Sequence, residues 1–197
     1  LQGLSFQGKA VEGAVCTFLL PYWSLGGEII RDGKMSFERG KAEAGLNMWR
    51  GMVNDGVAKK NTAEVATDDT RKEFQAGKVI FGVNWGYAWN HFQGGVDTRV
   101  KNKVGVATLP AMPGGKAVSC MGGWNWAVSA FGKNKAASVA LVRWLSSPAV
   151  SKQLAMKGSF HPVFPSVYQD AEVISAVPWF ADALRVVETA RPRPVTP

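Results

Sequence analysis

The residues best suited to chemistry are aromatic. Asn84-Trp-Gly-Tyr-Ala-Trp-Asn90 follows an apolar run, and in extended chain the side chains at i, i+2 and i+4 share a face, so Trp85, Tyr87 and Trp89 are expected on one surface. Trp124 and Trp126 repeat that spacing, with Gly122-Gly123 in front to allow close backbone approach. Flat aromatic faces match the C–H-rich faces of a pyranose ring, and neighbouring Asn or backbone groups can hydrogen-bond its hydroxyls. An apolar wall with a few convergent polar groups is how small-molecule sites are built. Trp49 and Trp144 lie on helical stripes and read as core.

Catalytic patterns are absent. There are two histidines, His91 and His161, and no Gly-x-Ser-x-Gly elbow. None of the four Gly-Gly pairs continues into a phosphate loop or a dinucleotide fingerprint. Glycosidase chemistry needs two carboxyl groups across a scissile bond. Glu12, Glu28, Asp68 and Asp69 are available, but helix-terminus electrostatics accounts equally well for Asp68 and Asp69. A carbohydrate-active enzyme fragment, working through Glu12 or Glu28, therefore stands only as the alternative to a non-enzymatic binding protein. Cys16 and Cys120, the two cysteines, exclude a thiolate zinc site; they read as one bridge or as two small buried hydrophobes. No metal and no cofactor is expected.

Composition narrows the field further. The 197 residues carry 23 Lys+Arg against 15 Asp+Glu, a net charge of +8, with 46% hydrophobic residues. That is globular composition. The basic residues are scattered in ones and twos, so a basic surface rather than a nucleic-acid site is expected, and nucleic acid is not expected as a partner. The longest uncharged stretches, 13–27 and 117–132, are too short and too glycine-broken to cross a bilayer.

Helix and strand signals alternate. Helices are expected over Glu12–Leu25, closed by Gly26-Gly27, over a stretch containing Ala42, Leu46, Trp49 and Val53 and stopped at Asn54-Asp-Gly56, from Asp68-Asp69 to Gly77, over Lys135–Leu145, over Ala149–Met156 and over Phe180–Thr189. Strands are expected at Val79–Val83, Val104–Leu109 and Trp124–Ser129. The alternation means an α/β architecture. Leu1 opens on what reads as a loop already under way, and the proline-rich end, Arg191 to Pro197, closes nothing.

Phe6-Gln-Gly, Glu12-Gly-Ala-Val-Cys16, Trp23-Ser-Leu-Gly-Gly-Glu28, Phe74-Gln-Ala-Gly-Lys78, Asn84-Trp-Gly-Tyr87, Cys120-Met-Gly-Gly-Trp124 and Arg193-Pro-Val-Thr-Pro197 occur in that order. Together they resemble the extracellular solute-binding proteins of ABC importers, family 1, in the maltose/trehalose-binding branch. The resemblance runs essentially end to end and implies the later part of a protein about twice as long, without its signal peptide, most of its first lobe and its C-terminal helices. It implies part of a two-lobed α/β clamp of the periplasmic-binding-protein type II kind. Residues 1–103 would form a second-lobe segment carrying the aromatic cleft wall. Residues 104–157 would cross back to the first lobe, and 158–197 would return to the second lobe and exit through a proline-rich hinge.

The same resemblance implies a di- or oligosaccharide ligand, an α-glucoside such as maltose or trehalose, delivered to ABC permease subunits. It implies a periplasmic or extracellular location, with membrane association through the permease or a lipid anchor outside this chain. Trp85 and Tyr87 would supply two aromatics to the sugar, Gly123 a backbone contact, Trp124 a stacking ring, and Trp23 the cleft edge. It also favours a Cys16–Cys120 disulfide. Two positions depart from the family pattern. Gly86 stands where proline is usual, and Phe164 stands where an arginine often binds hydroxyls; His161 either takes over part of that role or caps local backbone.

Overall fold

In the computed structural model, residues 1–194 are described. Strand β1 (Gln2–Ser5) leads into helix α1 (Glu12–Ser24), followed by a tight hairpin of β2 (Ile30–Arg31) and β3 (Lys34–Met35) and by α2 (Arg39–Asn54). Helix α3 (Thr67–Gln75) precedes β4 (Val79–Gly82), which pairs parallel with β1, Gln2 opposite Val79 and Ser5 opposite Gly82. The crossover between these two strands holds α1, α2 and α3. Helix α4 (Ala88–Gly94) follows, then a long stretch without secondary structure to β5 (Ser119–Met121). The rest is helical: α5 (Lys135–Leu145), α6 (Pro148–Gly158), α7 (Pro165–Tyr168), α8 (Ala171–Ala176) and α9 (Phe180–Glu188). The last strand, β6 (Ala190–Pro192), pairs parallel with β5. Among the described residues, no helix is long and apolar enough to cross a membrane.

Local chemistry explains most boundaries. Helix α1 ends where Gly26 takes φ +73°, and its amide donates to the Trp23 carbonyl. Helix α3 starts with Asp68 and Asp69 in its first turn, and the Asp69 carboxylate accepts from the Ala66 amide at 2.9 Å. Pro21 sits inside α1 and has no N–H to give the Thr17 carbonyl four residues back. Trp49 of α2 fills that gap, its indole N–H donating to Thr17 O at 3.1 Å. The tryptophan read as core filler is thus also the clasp between two helices.

Two apolar cores result. One joins α1, α2 and β5 through Leu19, Tyr22, Trp23, Ala42 and Val118. The other gathers Ala155, Val167, Tyr168, Val173, Val177, Trp179, Phe180 and Ala183 from α6 to α9, with Trp89 of α4 packed against it.

Two expected strands do not form. Residues 104–109 and 124–129 have strand-like sequence but lie outside every ladder, and most of their side chains are exposed. A strand satisfies its backbone only through a neighbour, and among the described residues neither stretch has one.

Candidate functional site

The chain leaves β4 through Val83, whose amide donates to Ser5 O at 3.0 Å, and then turns sharply. Asn84 makes that turn. Its side-chain amide donates to Thr67 O at 3.1 Å and Thr70 Oγ1 at 2.7 Å, while its Oδ1 accepts from the Trp85 amide at 2.7 Å. Asn84 therefore spends both of its amide hydrogens on α3 and an Oδ1 lone pair on its own loop, which leaves it no donor for a ligand hydroxyl. The amides of Ala88 and Trp89 then donate to the carbonyls of Trp85 and Gly86, which starts α4.

This corrects the expectation of a single extended aromatic face. Tyr87 stands at the N-cap of α4, and Trp89, inside the helix, turns to the second core, where it meets Trp179 at 6.2 Å between centroids. Trp85 and Tyr87 remain half-buried. Tyr87 meets His91 edge-on at 5.8 Å. Its hydroxyl holds its proton above the usual tyrosine range, first because of burial and then because of the Asp68 carboxylate nearby.

The Trp85 loop and the glycine pair, far apart in sequence, meet in space. A Cβ on Gly122 would lie 2.7 Å from Cζ3 and 2.8 Å from Cη2 of Trp85, so the indole lies directly against that glycine. Gly123 next to it has open space around its Cα, and Trp124 is 95% exposed. Trp85, Gly122, Gly123 and Trp124 thus form one continuous stretch of surface. Trp23 is not part of it: it is 4% exposed, sits in the first core, and has the Arg191 guanidinium over its ring at 5.4 Å.

Cys16 of α1 and Cys120 of β5 are unbonded thiols in mutual contact. The Cys120 Sγ donates to Met121 O at 3.9 Å, and the side-chain interaction between the two thiols lowers the Cys16 pKa and raises that of Cys120. Arg193 adds a donor to Cys16 Sγ at 3.8 Å and an ion pair with Glu12. Glu28 pairs with Arg31 at 3.0 Å, so both carboxylates of the enzymatic alternative are engaged by arginines. Among the described residues, no three of His, Cys, Asp and Glu cluster as a metal site.

Residues 6–181 match the family model of the bacterial extracellular solute-binding proteins, and the chain belongs to that family. A probable ABC transporter-binding protein of Deinococcus radiodurans is 36% identical over 98% of this chain and 46% of its own length. Among solved structures, maltose-bound MalE3 of T. maritima shares 32% identity and superposes with a TM-score of 0.88 over all of this chain and 51% of that one. The acarbose-binding GacH receptor of Streptomyces glaucescens shares 28% identity with a TM-score of 0.77, covering 98% of this chain and 48% of that one. The chain thus spans about half the length of these relatives, as part of an α/β clamp.

Helices α1, α2, α3, α5, α6 and α9 and the two aromatic motifs were legible in sequence, whereas the short helices α4, α7 and α8 were not. The structural role of Asn84, the contact of Gly122 with Trp85 and the burial of Trp23 were not. The Gly122-Gly123 pair was the only signal of that contact.

Proposed function

We propose that this chain supplies one wall of the sugar-binding cleft in the solute-binding subunit of an ABC importer. The ligand is a di- or oligosaccharide, an α-glucoside such as maltose or trehalose, which the subunit binds without converting it and hands to the permease. This places the protein in the periplasm or outside the cell. The reading is carried by one observation, the Trp85 ring laid against Gly122, which brings the loop of Trp85 and Tyr87 together with the segment that carries Trp124. Such a wall takes a sugar face by apolar contact, while exposed backbone at Gly123 offers hydrogen bonds to hydroxyls. Maltose in MalE3 and acarbose in GacH support the ligand class.

In this reading residues 1–103 and 158–194 belong to the wall-bearing lobe, and 104–157 cross to the other lobe, against which α5 packs. The last three residues of the expected proline-rich exit segment, 195–197, lie outside the described residues. Closure shifts an existing open–closed equilibrium toward the form that the permease reads. Cys16 and Cys120 become a disulfide when a thiol–disulfide oxidant removes their two thiol hydrogens, tying α1 to β5. Such a bridge typically stabilises by ~2–4 kcal/mol. Intact mass without reductant reads it directly, as the loss of those two hydrogens.

Tryptophan emission titrated with maltose, trehalose and sucrose tests the main reading. A saturable shift with one of these sugars, weakened roughly tenfold or more in Trp85→Ala and in Tyr87→Ala, is the expected result. Unchanged affinity in both variants removes the reading.

A further inference from the structure

His161 lies between α6 and α7, exposed to solvent yet held by aromatic rings. Trp179 meets it edge-on at 5.2 Å, and Phe180 stacks at 5.8 Å. Its Nδ1 is 3.1 Å from the hydroxyl of the buried Tyr168, whose pKa burial pushes up to about 12, so that hydroxyl stays neutral. One ring nitrogen is thereby committed inward, and the orientation of the imidazole is fixed.

The other nitrogen points at the aromatic loop. A Cβ on Gly86 would lie 2.6 Å from His161 Nε2, 2.8 Å from its Cδ2 and 3.2 Å from Trp179 Cη2. The imidazole therefore occupies the volume that a side chain at position 86 would fill, between Trp85 and Tyr87. Phe164, three residues beyond His161, packs against the second core and carries no polar group.

We propose that His161 is a specificity-determining residue of the sugar site: its Nε2 takes one hydroxyl of the ligand lying on Trp85 and Tyr87, and residue 86 is glycine because the imidazole fills its side-chain space. The proposal rests on the sugar-cleft reading. Aromatic faces hold a pyranose but discriminate weakly among hydroxyl patterns, whereas a hydrogen-bonding group at a fixed position rejects ligands that leave it unpaired. With Nδ1 engaged by Tyr168, a neutral imidazole offers Nε2 as donor or acceptor according to tautomer, and a hydroxyl satisfies either. Because Tyr168 holds the ring already, little side-chain freedom is lost on binding.

The test is calorimetric titration of the gene product at its natural length with maltose and a set of monodeoxy-maltoses, alongside melting temperatures. His161→Ala is expected to weaken maltose about tenfold, and His161→Gln to recover most of that. One deoxy analogue binds wild type weakly but suffers no further loss against His161→Ala, which identifies the paired hydroxyl. Gly86→Ala lowers the melting temperature more in wild type than in the His161→Ala background, where the ring is gone and only the 3.2 Å approach of Trp179 remains. If Trp85→Ala abolishes binding while His161→Ala binds maltose and every analogue as wild type does, the proposal fails and the cleft reading stands. If wild type binds none of maltose, trehalose and sucrose, or if Trp85→Ala binds maltose as wild type does, both fall together.

Discussion

Phe180 and Trp124 are both large aromatics next to glycine- or proline-marked turns, yet one is fully buried and the other 95% exposed. Phe180 belongs to the cluster of α6 to α9, where it meets Trp179 at 4.7 Å and Tyr168 at 5.6 Å. Trp124 opens a stretch that continues through Trp126 and Phe131 into α5, a helix with no buried residue. Apolar patterning is comparable in the two regions. What differs is the presence of an opposing surface. Helix α5 forms without one because a helix satisfies its own backbone and because Asn134 caps it, accepting from the Ala137 amide at 3.3 Å. Residues 124–129 form no strand because a strand cannot satisfy itself.

The largest expected effect separates the two regions by stability. Phe180→Ala should cost about 3–5 kcal/mol in denaturant unfolding, from lost burial plus a cavity. Trp124→Ala should cost less than about 0.5 kcal/mol. Equal costs would break the comparison.

Within the first core, Tyr22→Phe tests polar anchoring. The Tyr22 hydroxyl donates to Glu28 O at 2.7 Å and accepts from the Glu38 amide at 3.0 Å, holding the hairpin to α1. Its loss should cost about 1–3 kcal/mol, because it leaves two backbone groups unpaired. Asn134→Ala should cost roughly 1 kcal/mol of α5 stability, read as lost helical circular dichroism, since no residue of that helix is buried.

The smallest effect is electrostatic. Lys152 donates to Asp170 at 2.8 Å, and this bond, foremost, holds the Asp170 carboxyl below the ordinary aspartate range. A carboxyl with a depressed folded-state pKa stabilises above its unfolded value, and that contribution disappears as pH falls through the folded pKa. Asp170→Asn should therefore lower stability slightly and evenly across the neutral range, with the two proteins converging below about pH 4, where unperturbed aspartate titrates. The pair is exposed enough that added salt should erase most of the difference.

Sequence carried the longer helices well, because capping residues and 3.6-residue periodicity are local, and missed the short α4, α7 and α8, which span too few turns to show that period. Asp69, Gly26 and Lys135 each mark a boundary that the structure places within two residues. It carried the candidate site by halves. The Trp85 and Trp124 motifs were legible as aromatic patterns beside glycines, and Gly122 does receive the Trp85 ring. Whether residues 85–89 run extended or turn into a helix depended on Asn84 finding Thr67 and Thr70 across a loop. The approach of His161 to Gly86 is likewise long-range, and neither contact leaves a periodic trace.

The central claim is that the wall built on Trp85 and Gly122 takes a sugar. Calorimetric titration of maltose into wild type and Trp85→Ala, on the gene product at its natural length, tests it most directly. Saturable binding by wild type, and at least roughly tenfold weaker binding by a variant that keeps its helical circular dichroism, is the expected result. Equal affinity in both would contradict it.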